Sequence, residues 1–301
     1  MIGTLAFVVL FQLVVIWRIG RMSPVPWWSF SSGKHPEDVS SFTNTLGMRF
    51  VSVPVSAEGK KILFSIWETR VKDYEVYASE NPGADGGWRD LILGDLKLAP
   101  QDTCPVVKVS WDDARAFCRW LTKRERTRGR IAEDLEYRLP TDAEWSWAVG
   151  IGAEEEREGG QRSPKEKNMK VEVGTHPFAF PWGSTWPPVK GAGNFADASS
   201  KQRIPSWTTI PGYDDGYPAT SPVGSFPANA VGLHDLGGNA REWCEDFYDG
   251  VRGGHLLRGG SWAYFGSLAL SSIRFEHASE RDANDGFRVV LAKATRTPSF
   301  E

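Results

Sequence analysis

Apolar and polar positions divide the chain into three stretches. Residues 2–17 (IGTLAFVVLFQLVVIW) form one apolar run interrupted only by Gly3, Thr4 and Gln12. Residues 21–45 are rich in Pro and Ser near their start and read as a flexible linker. From Leu46 onward the pattern becomes that of a folded domain. Residues 48–55 alternate apolar and polar side chains as a half-buried strand does, and residues 63–67 read as a second short strand. Thr69 is placed to cap a helix running to Ser79, with Val71, Tyr74 and Ala78 on one face. Ser110 with Asp113 opens a longer helix whose apolar face is Ala114, Phe117, Cys118 and Leu121. It runs into KRERTRGR (123–130), a solvated helix end where cations suit the dipole. Thr141 with Glu144 is a capping box for a short helix bearing Trp145, Trp147 and Ala148. Residues 81–103 are turn-dense, and residues 151–170 are charged and read as an exposed insertion. Beyond residue 171 short apolar pairs alternate with Gly, Pro, Asn and Asp, which predicts brief strands between long ordered loops.

Composition narrows the class. Apolar content of 41% and charged content of 24% belong to a globular chain and exclude disorder over most of its length. A net charge of −3 gives no basic footprint for nucleic acid, so none is expected as a partner. Three cysteines in 301 residues exclude a disulfide-stapled scaffold. Fourteen Trp beside 31 Gly point to a loop-heavy domain packed on aromatic side chains, and the few short helices and strands read above make it α+β in class.

The apolar run is short for a span but long enough to cross with local thinning. No Lys or Arg precedes it, and Arg18-Ile19-Gly20-Arg21 follows where a cleavage site would need small residues. It is read as a membrane anchor within residues 1–20; a signal peptide, which would make the domain secreted or periplasmic, is the alternative. The expected layout is anchor 1–20, linker 21–45, domain 46–294 and tail 295–301.

Several phrases occur in a telling order: Trp67-Glu68-Thr69-Arg70, Val109-Ser110-Trp111-Asp112, Arg138-Leu139-Pro140-Thr141-Asp142-Ala143-Glu144-Trp145, and Pro181-Trp182-Gly183. Then come Gly237-Gly238-Asn239-Ala240-Arg241-Glu242-Trp243, Arg258-Gly259-Gly260-Ser261-Trp262 and Gly286-Phe287-Arg288. Together they resemble the sulfatase-modifying factor family, whose best-known members are formylglycine-generating enzymes. The resemblance implies a variant of the C-type lectin fold. In those enzymes two cysteines after the Gly-Gly-Ser block bind copper and activate oxygen. Here their positions fall on Tyr264 and Ala269, neither of which is a soft ligand for Cu(I), so copper is not expected.

Calcium is the cofactor the resemblance implies. One site would use Asn194, the Phe195 carbonyl, Asp215 and the Tyr217 carbonyl. A second would use Asp235, the Gly238 and Ala240 carbonyls, and Glu242. The bland reading of the same residues is turn formation. A candidate cleft is lined by Arg241, Ser261, Tyr264 and Arg274, with His255 and His277 able to approach it. Cys118 is expected to be a buried, inert thiol, while Cys104 and Cys244 are either paired or free. The expectation is a membrane-anchored domain without the oxidase cysteines that binds a peptide, protein or small molecule. A divergent enzyme using the same cleft is the alternative, and a formylglycine-generating enzyme using other residues a third.

Overall fold

The computed structural model describes residues 39–158, 163–167, 180–250, 254–266, 271, 273–277 and 280–294. Residues 2–17, Ala269 and the tail expected at 295–301 lie outside them. The first sheet has the order β1-β2-β3-β11-β6, all antiparallel: β1 (Ser41–Thr43), β2 (Arg49–Pro54), β3 (Lys61–Ser65), β6 (Leu135–Arg138) and β11 (Val290–Lys293). The second has the order β10-β7-β8-β9: β7 (Arg241–Phe247), β8 (His255–Arg258), β9 (Arg274–His277) and β10 (Asp285–Gly286), with β10 parallel to β7. A small hairpin, β4 (Ile92–Leu93) with β5 (Leu96–Lys97), stands apart from both.

The predicted helices form, with one change of cap. α1 (Val71–Glu80) starts after Arg70 rather than Thr69, and the Asp73 carboxylate closes the box onto the Arg70 N–H and guanidinium. α2 (Trp111–Thr127) and α3 (Asp142–Val149) carry the Ser110–Asp113 and Thr141–Glu144 boxes read from the sequence. α1 and α2 bring Tyr74, Phe117 and Leu121 against Leu63, Trp243 and Phe287. On the other side α3 seats Trp145 and Ala148 among Phe64, Val290, Leu256 and Cys244.

Two expectations change. β1 pairs with β2 inside the stretch expected as linker, because Phe42 has Phe50 to pack on. The insertion is not merely exposed. Its helices α4 (Gly152–Arg157) and α5 (Pro164–Lys167) send Glu155 and Lys167 into a buried ion cluster, where each charge finds an opposite one. One further short helix, α6 (Ala198–Arg203), precedes the loops of the C-terminal half.

Candidate functional site

Strand parity decides what the second sheet presents. Register pairs Glu242 with Arg258 and Arg258 with Arg274 on one face. Trp243, Leu257 and Phe275 pair on the other, the face that Arg241 shares with Trp243 by the two-residue period of a strand. The candidate cleft is therefore split between the two faces.

Arg241 is buried at the edge of its face. Its Nε donates to Asp285 Oδ1, and its guanidinium lies 5.1 Å from the Tyr264 ring centroid and 5.3 Å from that of Phe275. Its Nη atoms have no hydrogen bond among the described residues, and Nη2 lies 4.0 Å from Asp282 Oδ1. Asp285 is fully buried, its Oδ2 has no hydrogen-bond partner among the described residues, and His277 Nε2 lies 3.8 Å from it. Burial pushes the Asp285 carboxyl up to about 7 against the pull of Arg241. Burial, then Arg241, lowers His277, whose ring meets Trp243 edge-on at 5.6 Å. Ser261 is buried beside this group, its Oγ 3.4 Å from Asn284 Oδ1.

Arg274 does not belong there, contrary to the sequence expectation. It is buried on the opposite face and donates to Asp142 and Glu155. Asp142 also receives Arg258 and Lys167. Burial works to raise the Asp142 carboxyl, yet Arg258, Arg274 and Lys167 hold it well below the usual carboxylate range. His255 stacks on Trp111 at 3.7 Å, which makes it a packing residue. Cys104, Cys118 and Cys244 are all free and buried, and burial raises each thiol. Residues 245–301 contain no cysteine. No thiolate therefore stands at the Tyr264 or Ala269 position.

Of the residues expected to hold calcium, Asp215 lies against the 194–195 backbone and Asp235 lies near Glu242. Asn194 Nδ2 donates to the Ala219 carbonyl at 2.8 Å, while its Oδ1 is buried without a partner. The two oxygens of Asp215 accept the Phe195 and Tyr217 N–H groups at 2.9 Å each. Burial raises the Asp215 carboxyl to about 8, the two N–H groups oppose this, and Asp197 adds to it. In the second set Asp235 Oδ2 accepts the Gly224 N–H at 2.7 Å and Oδ1 is left unpartnered. Burial raises Asp235 to about 6. Glu242 is already engaged: Arg288 donates to both its oxygens and Trp145 Nε1 to one of them. Glu68, driven well up by burial, accepts the Ala240 N–H and Asn239 Nδ2. The two loops touch, since the Asn239 N–H donates to the Asn194 carbonyl at 2.9 Å.

Among the described residues no three His, Cys, Asp or Glu side chains are grouped to hold a metal. A cation here would draw on amide and backbone oxygens, as the expected ligand sets do. Two buried acceptors without donors, Asn194 Oδ1 and Asp235 Oδ1, fit such an ion. The carboxyls of Glu68, Asp235 and Glu242 have the Arg288 guanidinium as their cation instead.

Sequence reasoning assigned no role to Asp285, Glu68, Asn239 or Asp142. Glu68, Asn239 and Asp142 stood inside the quoted phrases, and Asp285 directly precedes Gly286-Phe287-Arg288. A charged or amide residue inside an aromatic-rich block was the signal available.

Comparison with known proteins agrees with this architecture. The chain is 31% identical over 148 residues to the formylglycine-generating enzyme of Thermomonospora curvata, covering 48% of this chain and 34% of that protein. It is 32% identical over 163 residues to the inactive C-alpha-formylglycine-generating enzyme 2 of Bos taurus, covering 52% and 38%. The chain thus spans little more than a third of those relatives. PvdO from Pseudomonas aeruginosa shares the fold, with a TM-score of 0.56 at 20% identity, covering 86% of this chain and 99% of that one. Residues 54–293 match the sulfatase-modifying factor enzyme 1-like domain, and the chain belongs to that family.

Proposed function

We propose that this chain is a ligand-binding member of the family that does not carry out copper-dependent thiol oxidation. The observation that carries the reading is the Tyr264 position. Where a thiolate would be needed, an aromatic ring covers Arg241, whose Nε is held by Asp285. The Nη donors of Arg241, which have no hydrogen bond among the described residues, match a group with an accepting oxygen, such as an amide. A peptide, a protein segment or a small amide-bearing molecule satisfies that chemistry. The relative named as inactive is consistent with a family fold kept without oxidation.

The full chain should neither retain Cu(I) stoichiometrically nor convert a cysteine-containing sulfatase peptide to its aldehyde. Retention of copper together with oxidation would overturn the reading. A second reading, an enzyme acting at the same cleft on another substrate, draws on the 3.8 Å approach of His277 to Asp285, an acid–base pair by type.

Two further parts complete the proposal. Calcium would hold the 194–217 and 235–242 loops together, bound by Asn194, Asp215 and Asp235 with backbone oxygens, and would keep their buried carboxylates ionised. Residues 2–17 would fix the domain to a membrane. Among the described residues no helix is long and apolar enough to cross one, so this part rests on the sequence of the apolar run.

A further inference from the structure

The outer face of α2 carries a stripe of four cations, two of which make no ion pair or hydrogen bond among the described residues. Arg115, Arg119, Lys123 and Arg126 recur at spacings of four, four and three residues and share one stripe of the helix. Arg115 pairs with Glu245, and Arg126 donates to the Leu135 carbonyl. Arg119 and Lys123 are exposed, and their side chains have no ion pair or hydrogen bond among the described residues. Two open grooves, of about 590 and 500 Å³, flank the stripe and share Arg119, Lys123 and Thr127. Their linings hold five cations (Arg119, Lys123, Arg124, Arg126, Arg128) against three carboxylates (Glu80, Glu133, Glu136). In a chain of net charge −3 this face has the opposite sign. The larger groove also exposes part of Trp120, a side chain suited to a boundary between apolar and wet surroundings.

A second observation concerns where the chain enters the domain. The Thr45 N–H and hydroxyl donate to Glu125 near the C-terminal end of α2, and Arg128 donates to the Thr45 hydroxyl. The turn after β1 therefore packs beside the basic end of α2, and the chain that carries the apolar run enters the fold through β1, a few residues before it. Residues 18–38 separate the two in sequence, and residues 21–38 belong to the stretch expected as linker. If residues 2–17 sit in a bilayer, the linker keeps this face at high effective concentration near the lipid surface.

We propose that the outer face of α2 docks on an anionic phospholipid surface, its grooves receiving headgroup phosphates at Arg119 and Lys123. The proposal rests on the anchoring reading given above. The attraction is additive in surface cations and fades within a Debye length, so it supplements an apolar anchor and does not replace one.

The test uses the full chain with Thr127→Cys labelled by an environment-sensitive fluorophore, the three native cysteines being buried. Vesicles are phosphatidylcholine alone or phosphatidylcholine with phosphatidylglycerol. The expected result is a blue shift with the anionic vesicles only. The double variant R119Q/K123Q should lower the docked-to-undocked ratio roughly thirty-fold. An equal shift in both lipids, no shift, or a shift with soluble polyglutamate and not with vesicles would overturn the docking. Flotation in molar salt reads the anchor separately. A chain that floats without a shift overturns the docking and keeps the anchor. A chain that shifts at low salt but does not float in molar salt overturns the anchor and keeps the docking.

Discussion

Arg288 grips Glu242 through both carboxylate oxygens, at 2.6 and 2.7 Å, with side-chain exposures of 0% and 1%. The same guanidinium reaches the Ser65 and His234 carbonyls, so one side chain joins β3, the 235–242 loop and β7. Glu68 and Asp235 lie close enough to feel its charge. Removing it by Arg288→Met leaves a cluster of buried carboxyls without their cation. The expected cost is about 3–5 kcal/mol. Urea unfolding should show a lower midpoint with an unchanged slope. A loss below about 1 kcal/mol would mean the cluster is neutralised in another way.

Asp285 gives the stability a definite dependence on pH. Its folded carboxyl is raised to about 7 from an ordinary 3.8, first by burial. Between those values the folded state binds the proton that the unfolded chain has released, so Asp285 makes stability fall as pH rises from about 4 to about 7. Asp285→Asn should flatten that slope while leaving Arg241 a hydrogen-bond acceptor. Thermal unfolding across the range checks it, and an unchanged slope in the variant would assign the effect elsewhere.

Asp142 has the opposite sign. Its carboxyl is held low by Arg258, Arg274 and Lys167, so the stability it contributes is present above its ordinary range and is lost as pH falls through and below it. Asp142→Asn takes the carboxylate from the fully buried Arg258 and leaves the fully buried Arg274 with Glu155, at an expected cost of about 3–5 kcal/mol. It should also free α5, because Lys167 loses its partner there. Limited proteolysis within residues 151–170 should be faster in the variant, and an unchanged rate would show that the insertion is held by other contacts.

These ion clusters mark where the sequence stops being readable. The Ser110 and Thr141 boxes were legible because a cap acts within three residues of itself. The pairs Asp142–Arg274 and Arg241–Asp285 span 132 and 44 residues, and nothing local in the sequence says which charges will meet. That is why Arg274 was placed in the cleft, when strand register turns it to the opposite face. The insertion misled for the same reason: a run of Glu, Lys and Arg looks solvated until a buried opposite charge is known to await it.

Calcium makes the next expectation. Chelated protein should unfold at a lower temperature than protein in calcium, and at a hundred times the dissociation constant the gain is about 2.7 kcal/mol. Asp215→Asn should reduce that gain and keep one of the two N–H bonds the carboxylate accepts, since the amide has a single accepting oxygen. No shift in calcium after chelation would remove both loops as calcium sites.

The contact between those loops supplies the last prediction, and it depends on a missing side chain rather than on a charge. Gly238 has an ordinary backbone angle, so its value is room. A Cβ there would stand 2.3 Å from the Asn194 carbonyl oxygen and 2.9 Å from the Phe195 ring. The carbonyl is backbone and accepts the Asn239 N–H, so it cannot yield without breaking that bond. Asn194 Nδ2 reaches the Asn239 side chain in the same contact, at 3.2 Å. Gly238→Ala should therefore separate the loops and cost about 1–3 kcal/mol, as overpacking does. Gly47→Ala provides the control: nothing lies within 4 Å of its Cβ position, and its φ of 75° confines the penalty to backbone strain. If calcium joins the loops, Gly238→Ala should also lower the calcium-induced rise in unfolding temperature, while Gly47→Ala leaves that rise intact. Equal calcium responses in the two variants would separate loop contact from ion binding.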